Sequence, residues 1–88
     1  MTIYVDPLRP YPQEWCHLAT DGDLDELHTF ARRIGLKRSW FRAHPLPPHY
    51  DLTAAKRARA LNAGAVPVSS QDLVDRCSDT FKGKGSHD

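Results

Sequence analysis

The chain has 88 residues, and twelve lysines and arginines against eleven aspartates and glutamates give it a formal net charge of +1. A near-neutral domain lacks the basic excess expected of a protein held to duplex DNA through phosphate contacts. The sequence has no apolar run of the roughly 20 residues needed to span a bilayer and no basic-then-apolar leader, so we expect a cytoplasmic protein that does not bind membranes.

The first elements predicted along the chain are extended. Residues 2–5, with the sequence TIYV, are rich in β-branched and aromatic side chains and stop at Asp6-Pro7, which is typical of a short strand. In residues 14–19, Trp15, His17 and Ala19 alternate with Cys16 and Leu18. This pattern slightly favours a second short strand over a helix. Three prolines between these segments exclude a helix there.

Two helices are predicted from their capping residues. The first begins at Asp23, which can form a capping box with Glu26, and ends at Gly35. The second begins at Thr53 and ends at Gly64. Apolar residues recur at helical spacing in the first helix, so that helix should bury one face.

The rest of the chain completes an α/β pattern. Strands are predicted at residues 39–43 and 65–68, and a last helix at 71–77. The two longer helices would then join successive strands in a βαβαβα order, giving a small layer of about three strands, at least partly parallel. We expect one domain over residues 1–81 and a disordered tail over 82–88, because the tail has nothing apolar to bury.

Polar residues gather where this fold would bind a ligand. In open α/β sheets, ligands bind beyond the carboxyl ends of the strands, near helix N-termini that favour anions. The HYD triplet at residues 49–51 offers a proton carrier, a stacking face and an acceptor. We predict a site for a small anionic ligand, a nucleotide or a nucleotide-derived signal molecule, made of Asp6, His49, Tyr50, Asp51, Lys56 and Arg57.

Two other functions stay open, and the sequence does not decide whether the protein is an enzyme. Under the anionic-ligand hypothesis no cofactor is needed. The first alternative is a phosphoester hydrolase that uses a divalent metal, with ligands or a general base drawn from Asp6, His17, His49 and Asp51. The second is a module whose proline-rich segment, residues 44–51, docks on a host protein.

Several residues have simpler interpretations. Cys16 and Cys77 form no CxxC pair, so we predict two buried thiols without a disulfide. His28 lies beside the apolar stripe of the first helix and should occupy the core boundary. Trp15 and Trp40 are large enough to anchor the core.

The ordered motifs also resemble a known family. Six pieces carry the resemblance: IYVDPL (3–8), WCHL (15–18), DELHTFARRIGL (25–36), SWF (39–41), PHYDLT (48–53) and KRARALNAGAVPVS (56–69). They are similar to small bacterial and phage proteins of the family called domain of unknown function 4031. The resemblance implies a bacterial or phage origin and no particular activity. Residues 55–77 also resemble the closing helix-strand-helix of a BRCT repeat, with Leu73 near the position of its usual tryptophan.

Overall fold

A computed structural model describes residues 2–11, 13–45 and 47–85, with side chains in the last helix described as far as residue 78. A short 3-10 turn precedes the third strand at Arg38–Trp40. The strands and helices in chain order are β1 (Ile3–Val5), β2 (Trp15–Thr20), α1 (Leu24–Arg33), β3 (Phe41–Arg42), β4 (His49–Thr53), α2 (Ala54–Asn62), β5 (Val66–Pro67) and α3 (Ser70–Gly85).

The strands form a mixed five-stranded sheet in the order β3-β4-β2-β1-β5. The α/β class and the partly parallel pairing are confirmed, since β1 and β5 run parallel. The prediction of about three strands in a βαβαβα order was wrong. β2 follows β1 directly and pairs with it antiparallel, and β4 then pairs antiparallel with β2. No helix therefore joins the first two strands.

The additional strand β4 comes from residues that we had interpreted as a loop. The prolines before it and the polar HYD triplet hid its alternation. Tyr50 and Leu52 are buried while Asp51 and Thr53 are exposed, which is the period of two expected of a strand. Because β4 lies beside the central strand β2, the HYD triplet is held by the sheet.

The sheet separates two apolar clusters. On one face, α1 and α2 pack on a cluster that includes Val5, Leu18 and Leu52 from the strands. On the other face, α3 places Leu73 and Cys77 against Tyr4 and Ala19. Neighbouring strand residues fall into different clusters because successive side chains of a strand point to opposite faces.

The predicted helix ends are mostly confirmed. The Thr53 hydroxyl accepts a hydrogen bond from the Lys56 N–H at 3.2 Å, and Gly35 and Gly64 have φ of 91° and 111°, which side-chain-bearing residues rarely adopt. The capping box was wrong, because the Asp23 side chain makes no cap hydrogen bond.

Some of the other local predictions are confirmed and some are wrong. Cys16 and Cys77 are buried free thiols, as predicted. The tryptophans are not core anchors, because Trp40 is exposed and Trp15 is half-buried. Helix α3 extends to Gly85 and so overlaps the segment predicted as a tail, whereas residues 86–88 lie outside the described part. None of the helices in that part is long and apolar enough to cross a bilayer.

Candidate functional site

Three polar residues form a row across the middle of the sheet. His17 on β2 lies opposite Asp51 on β4, and the N–H of Asp6, just after β1, donates to the His17 carbonyl oxygen at 3.4 Å. Residues in register on adjacent strands present their side chains on the same face. The row lies on the α3 face, because the Asp6 carboxylate contacts Ser70 at the start of that helix.

Asp6 is the buried anchor of this row. Its side chain is 1% exposed. One carboxylate oxygen accepts the His17 backbone N–H at 2.7 Å, and the other accepts from Ser70 Oγ at 3.1 Å and from Arg9 Nη1 at 3.2 Å. Burial by itself would raise the pKa of Asp6, but the hydrogen bonds from His17 and Ser70 and the charge of His17 lower that pKa to about 2. Asp6 is therefore an anion at neutral pH.

The anion determines the tautomer of His17. The Nδ1 atom of His17 lies 2.9 Å from Asp6 Oδ2, and an ionised carboxylate can only accept a hydrogen bond. We therefore assign the ring hydrogen to Nδ1. Arg9 Nη1, 3.2 Å from the same nitrogen, is then a neighbour that donates to Asp6. In the neutral ring the lone pair of His17 then lies on Nε2.

His49 is oriented in the same way by a backbone carbonyl. Its Nδ1 lies 2.9 Å from the Pro47 carbonyl oxygen, so Nδ1 carries a hydrogen, and in the neutral ring the lone pair lies on Nε2. The two imidazole rings meet edge to face, with centroids 4.9 Å apart. A histidine whose Nδ1–H donates to a carboxylate or a carbonyl is the usual arrangement of a metal ligand.

Asp51 completes a possible metal triad with the two histidines. One ligand-type atom from each of His17, His49 and Asp51 lies within 4.8 Å of the others. His49 Nε2 is 3.5 Å from Asp51 Oδ1, and Arg42 Nε is 3.2 Å from Asp51 Oδ2. In the neutral form of His49, Nε2 and Asp51 Oδ1 are both acceptors, an arrangement that a metal ion or a proton between them would stabilise.

The proline-rich segment forms one wall of a cleft beside the histidines. The cleft encloses ≈ 160 Å³. Its apolar lining comes from Pro45 and Pro47 and from Leu73 and Val74 of α3. His17, His49, Asp6, Arg9 and Ser70 complete the lining. The cleft therefore combines apolar side chains with part of the polar row.

The sequence-predicted ligand residues divide between two faces of the sheet. Asp6, His49 and Asp51 come together with His17, as the metal alternative supposed. Tyr50 is buried on the opposite face, in the cluster covered by α1 and α2.

The two basic residues of that set lie on α2 and bind backbone carbonyls. Lys56 Nζ donates to the Gly35 carbonyl oxygen at 3.4 Å, and Arg57 Nε donates to the Asp6 carbonyl oxygen at 2.9 Å. Arg57 thus supports the site from behind the sheet.

Three residues of the site had been given no role from the sequence. Arg9 follows Asp6 by three residues, a spacing that could have suggested an ion pair. None of their contacts could be assigned, because Ser70 meets Asp6 across 64 positions of sequence.

Comparison with known proteins gives a family and no activity. No curated protein and no solved structure matches the chain. One family model matches residues 3–80, which is most of the sequence, and its description is "Protein of unknown function (DUF4031)". The predicted family is thereby confirmed, and the chain belongs to the DUF4031 family.

Proposed function

We propose that the protein is a metal-dependent hydrolase of phosphoesters, with a divalent ion held by His17, His49 and Asp51. The observation that carries this proposal is the pair of oriented imidazoles. Each has its Nδ1 hydrogen bonded, to Asp6 or to the Pro47 carbonyl, and a ring nitrogen of each lies within 4.8 Å of an Asp51 carboxylate oxygen.

The spacing of these groups suits a small coordination sphere. Ligand bonds of about 2.1 Å in a tetrahedral site place ligand atoms about 3.4 Å apart. The 3.5 Å between His49 Nε2 and Asp51 Oδ1 is close to that separation, and all three ligand atoms lie within 4.8 Å of one another. Two imidazoles and one carboxylate suit zinc and other transition ions better than magnesium.

Three protein ligands leave a position for water, as catalytic centres do. An ion in this position supplies Lewis acidity and lowers the pKa of bound water. Asp6 would hold the His17 ring, and Arg42 would hold the Asp51 carboxylate. Arg9 and Arg42 also place positive charge on both sides of the triad, which favours an anionic substrate such as a phosphoester.

Zinc titration of the tag-free protein by calorimetry tests the first step of this proposal. We expect one saturable site, lost or weakened at least about tenfold in Asp51→Asn, because that change removes a ligand charge. Asp51 is exposed, so the variant should fold. His28→Gln is the matched control, since it removes a histidine outside the triad, and it should bind zinc as the unmodified protein does.

A second assay tests hydrolysis. With zinc, manganese or iron(II) added, we expect cleavage of bis-p-nitrophenyl phosphate or p-nitrophenyl phosphate that Asp51→Asn abolishes. Absence of saturable binding for all three ions, or equal losses in Asp51→Asn and His28→Gln, would overturn the metal site. Binding without cleavage of either ester would overturn hydrolysis. Nucleotide binding through Lys56 and Arg57, and docking on a host protein, stay predictions from the sequence.

A further inference from the structure

A second cleft lies on the face of the sheet opposite to the metal triad. It opens between α1, the 3-10 turn before β3, and β4, and it encloses ≈ 400 Å³. Its lining is more polar than that of the first cleft. The lining residues are Asp25, His28, Thr29, Arg32, Leu36, Arg38 and Tyr50.

We propose that this cleft binds the phosphate group of a small molecule, with Arg32 and Arg38 as its cationic contacts and His28 as a neutral hydrogen-bond donor. The site is separate from the proposed metal centre and does not depend on it. Tyr50, which the sequence predicted to bind an anion, lines this cleft.

The two arginines supply the first support. Within the described part of the chain, neither guanidinium lies within ion-pair distance of a carboxylate. Arg32 is in the last turn of α1, where a basic residue ordinarily offsets the helix dipole. Arg38 is outside that helix and stacks over the Phe41 ring at 5.2 Å. Stacking leaves the guanidinium edge available, and that edge is what binds phosphate oxygens.

The histidine and tyrosine supply a third donor. Tyr50 is buried, and burial raises the pKa of its hydroxyl, so the hydroxyl keeps its hydrogen. The hydroxyl lies 2.8 Å from His28 Nδ1, and we assign it as the donor in this pair. Burial and the charge of Arg38 lower the pKa of His28, against an opposing effect of Asp25. His28 is therefore neutral at pH 7, and its hydrogen is on Nε2, where it can be donated to a ligand.

The charges around His28 favour an anion overall. Arg32 and Arg38 outnumber Asp25, the one carboxylate of the lining. Two guanidiniums and one imidazole N–H match the several acceptor oxygens of a phosphate better than the two oxygens of a carboxylate. A bound phosphate would also stabilise the protonated ring, so His28 should gain a higher pKa in the complex.

The experiment follows the His28 ring signal by NMR while inorganic phosphate, phenyl phosphate or acetate is added at constant ionic strength. The signal is assigned as the one missing from His28→Gln. We expect saturable shifts with both phosphates, a rise in the His28 pKa, and weaker or no binding of acetate. The double variant Arg32→Gln/Arg38→Gln should weaken binding at least about tenfold, because charge-assisted hydrogen bonds are lost.

Arg33→Gln is the matched control, since Arg33 is in the same helical turn and lines a different hollow. It should bind phosphate as the unmodified protein does. Two results would show non-specific charge screening and so overturn the site: linear shifts that do not saturate, or an equal loss of phosphate binding in Arg33→Gln and in the double variant. Tighter binding of acetate than of phosphate would overturn the ligand class. Addition of EDTA should change nothing, which separates this result from the metal centre.

Discussion

Replacement of Asp6 by asparagine removes one negative charge from the centre of the site and keeps the shape of the side chain. The carboxylate of Asp6 accepts hydrogen bonds from His17, Ser70 and Arg9 and donates none. An asparagine has only one acceptor oxygen, and its NH₂ group would face donors. Asp6→Asn should therefore lower the free energy of unfolding and loosen the His17 ring.

The magnitude follows from the pKa of the carboxyl group. Folding lowers the pKa of Asp6 from 3.8 to about 2, and each unit corresponds to about 1.4 kcal/mol. The charged carboxylate thus contributes about 2 to 3 kcal/mol to stability at neutral pH. Because the folded pKa is the lower one, this contribution is present above pH 3.8 and is lost as the pH falls toward 2.

Urea denaturation between pH 2 and pH 7 measures this difference. The difference in free energy of unfolding between the unmodified protein and Asp6→Asn should be constant from pH 5 to 7 and should decrease below about pH 4. Asp23→Asn is the matched control, because Asp23 is exposed and its side chain makes no cap hydrogen bond. A gap below about 1 kcal/mol at pH 7, or one that does not change with pH, would refute the role given to the Asp6 charge.

Three further predictions concern the core and the backbone. Cys16 and Cys77 should resist Ellman's reagent at pH 8 until the protein unfolds, because burial raises their pKa values to about 11 and 12; fast reaction of the native protein would contradict this. Gly64→Ala should lower the free energy of unfolding, measured by urea denaturation, by about 1 to 2 kcal/mol. The cause is the φ of 111° alone, because an added Cβ meets nothing within 4 Å. Unchanged stability would be inconsistent with that conformation. Leu27→Ala should cost about 2 to 5 kcal/mol in the same assay because Leu27 is fully buried, and a loss under 1 kcal/mol would place it outside the core.

Features that depend on a few neighbouring residues could be predicted from the sequence. The cap at Thr53, the glycines that end α1 and α2, and the strand before Asp6 each follow from local backbone preferences. The capping box at Asp23 failed although its residues were suitable, because the Asp23 carboxylate does not turn toward the first-turn N–H groups. Local chemistry permits a cap, and the surrounding structure decides whether it forms.

The path of the chain between these features could not be predicted. Two prolines before His49 and the exposed Asp51 concealed β4, and without β4 the sheet was given too few strands and the wrong pairing. A strand with one polar face looks like a loop until its partner is known. The same error hid which face each site residue occupies, so Tyr50 was grouped with neighbours that point away from it.

Composition and short-range spacing were enough to predict the class of fold, the family, the buried thiols and the types of side chain available to a site. Which of those side chains meet depends on how the folded chain packs. His17 comes level with Asp51 through the register of β2 and β4, and Asp6 reaches Ser70 through the parallel pairing of β1 and β5. Register depends on how distant strands pack, so the contacts of the site exist only in the folded chain.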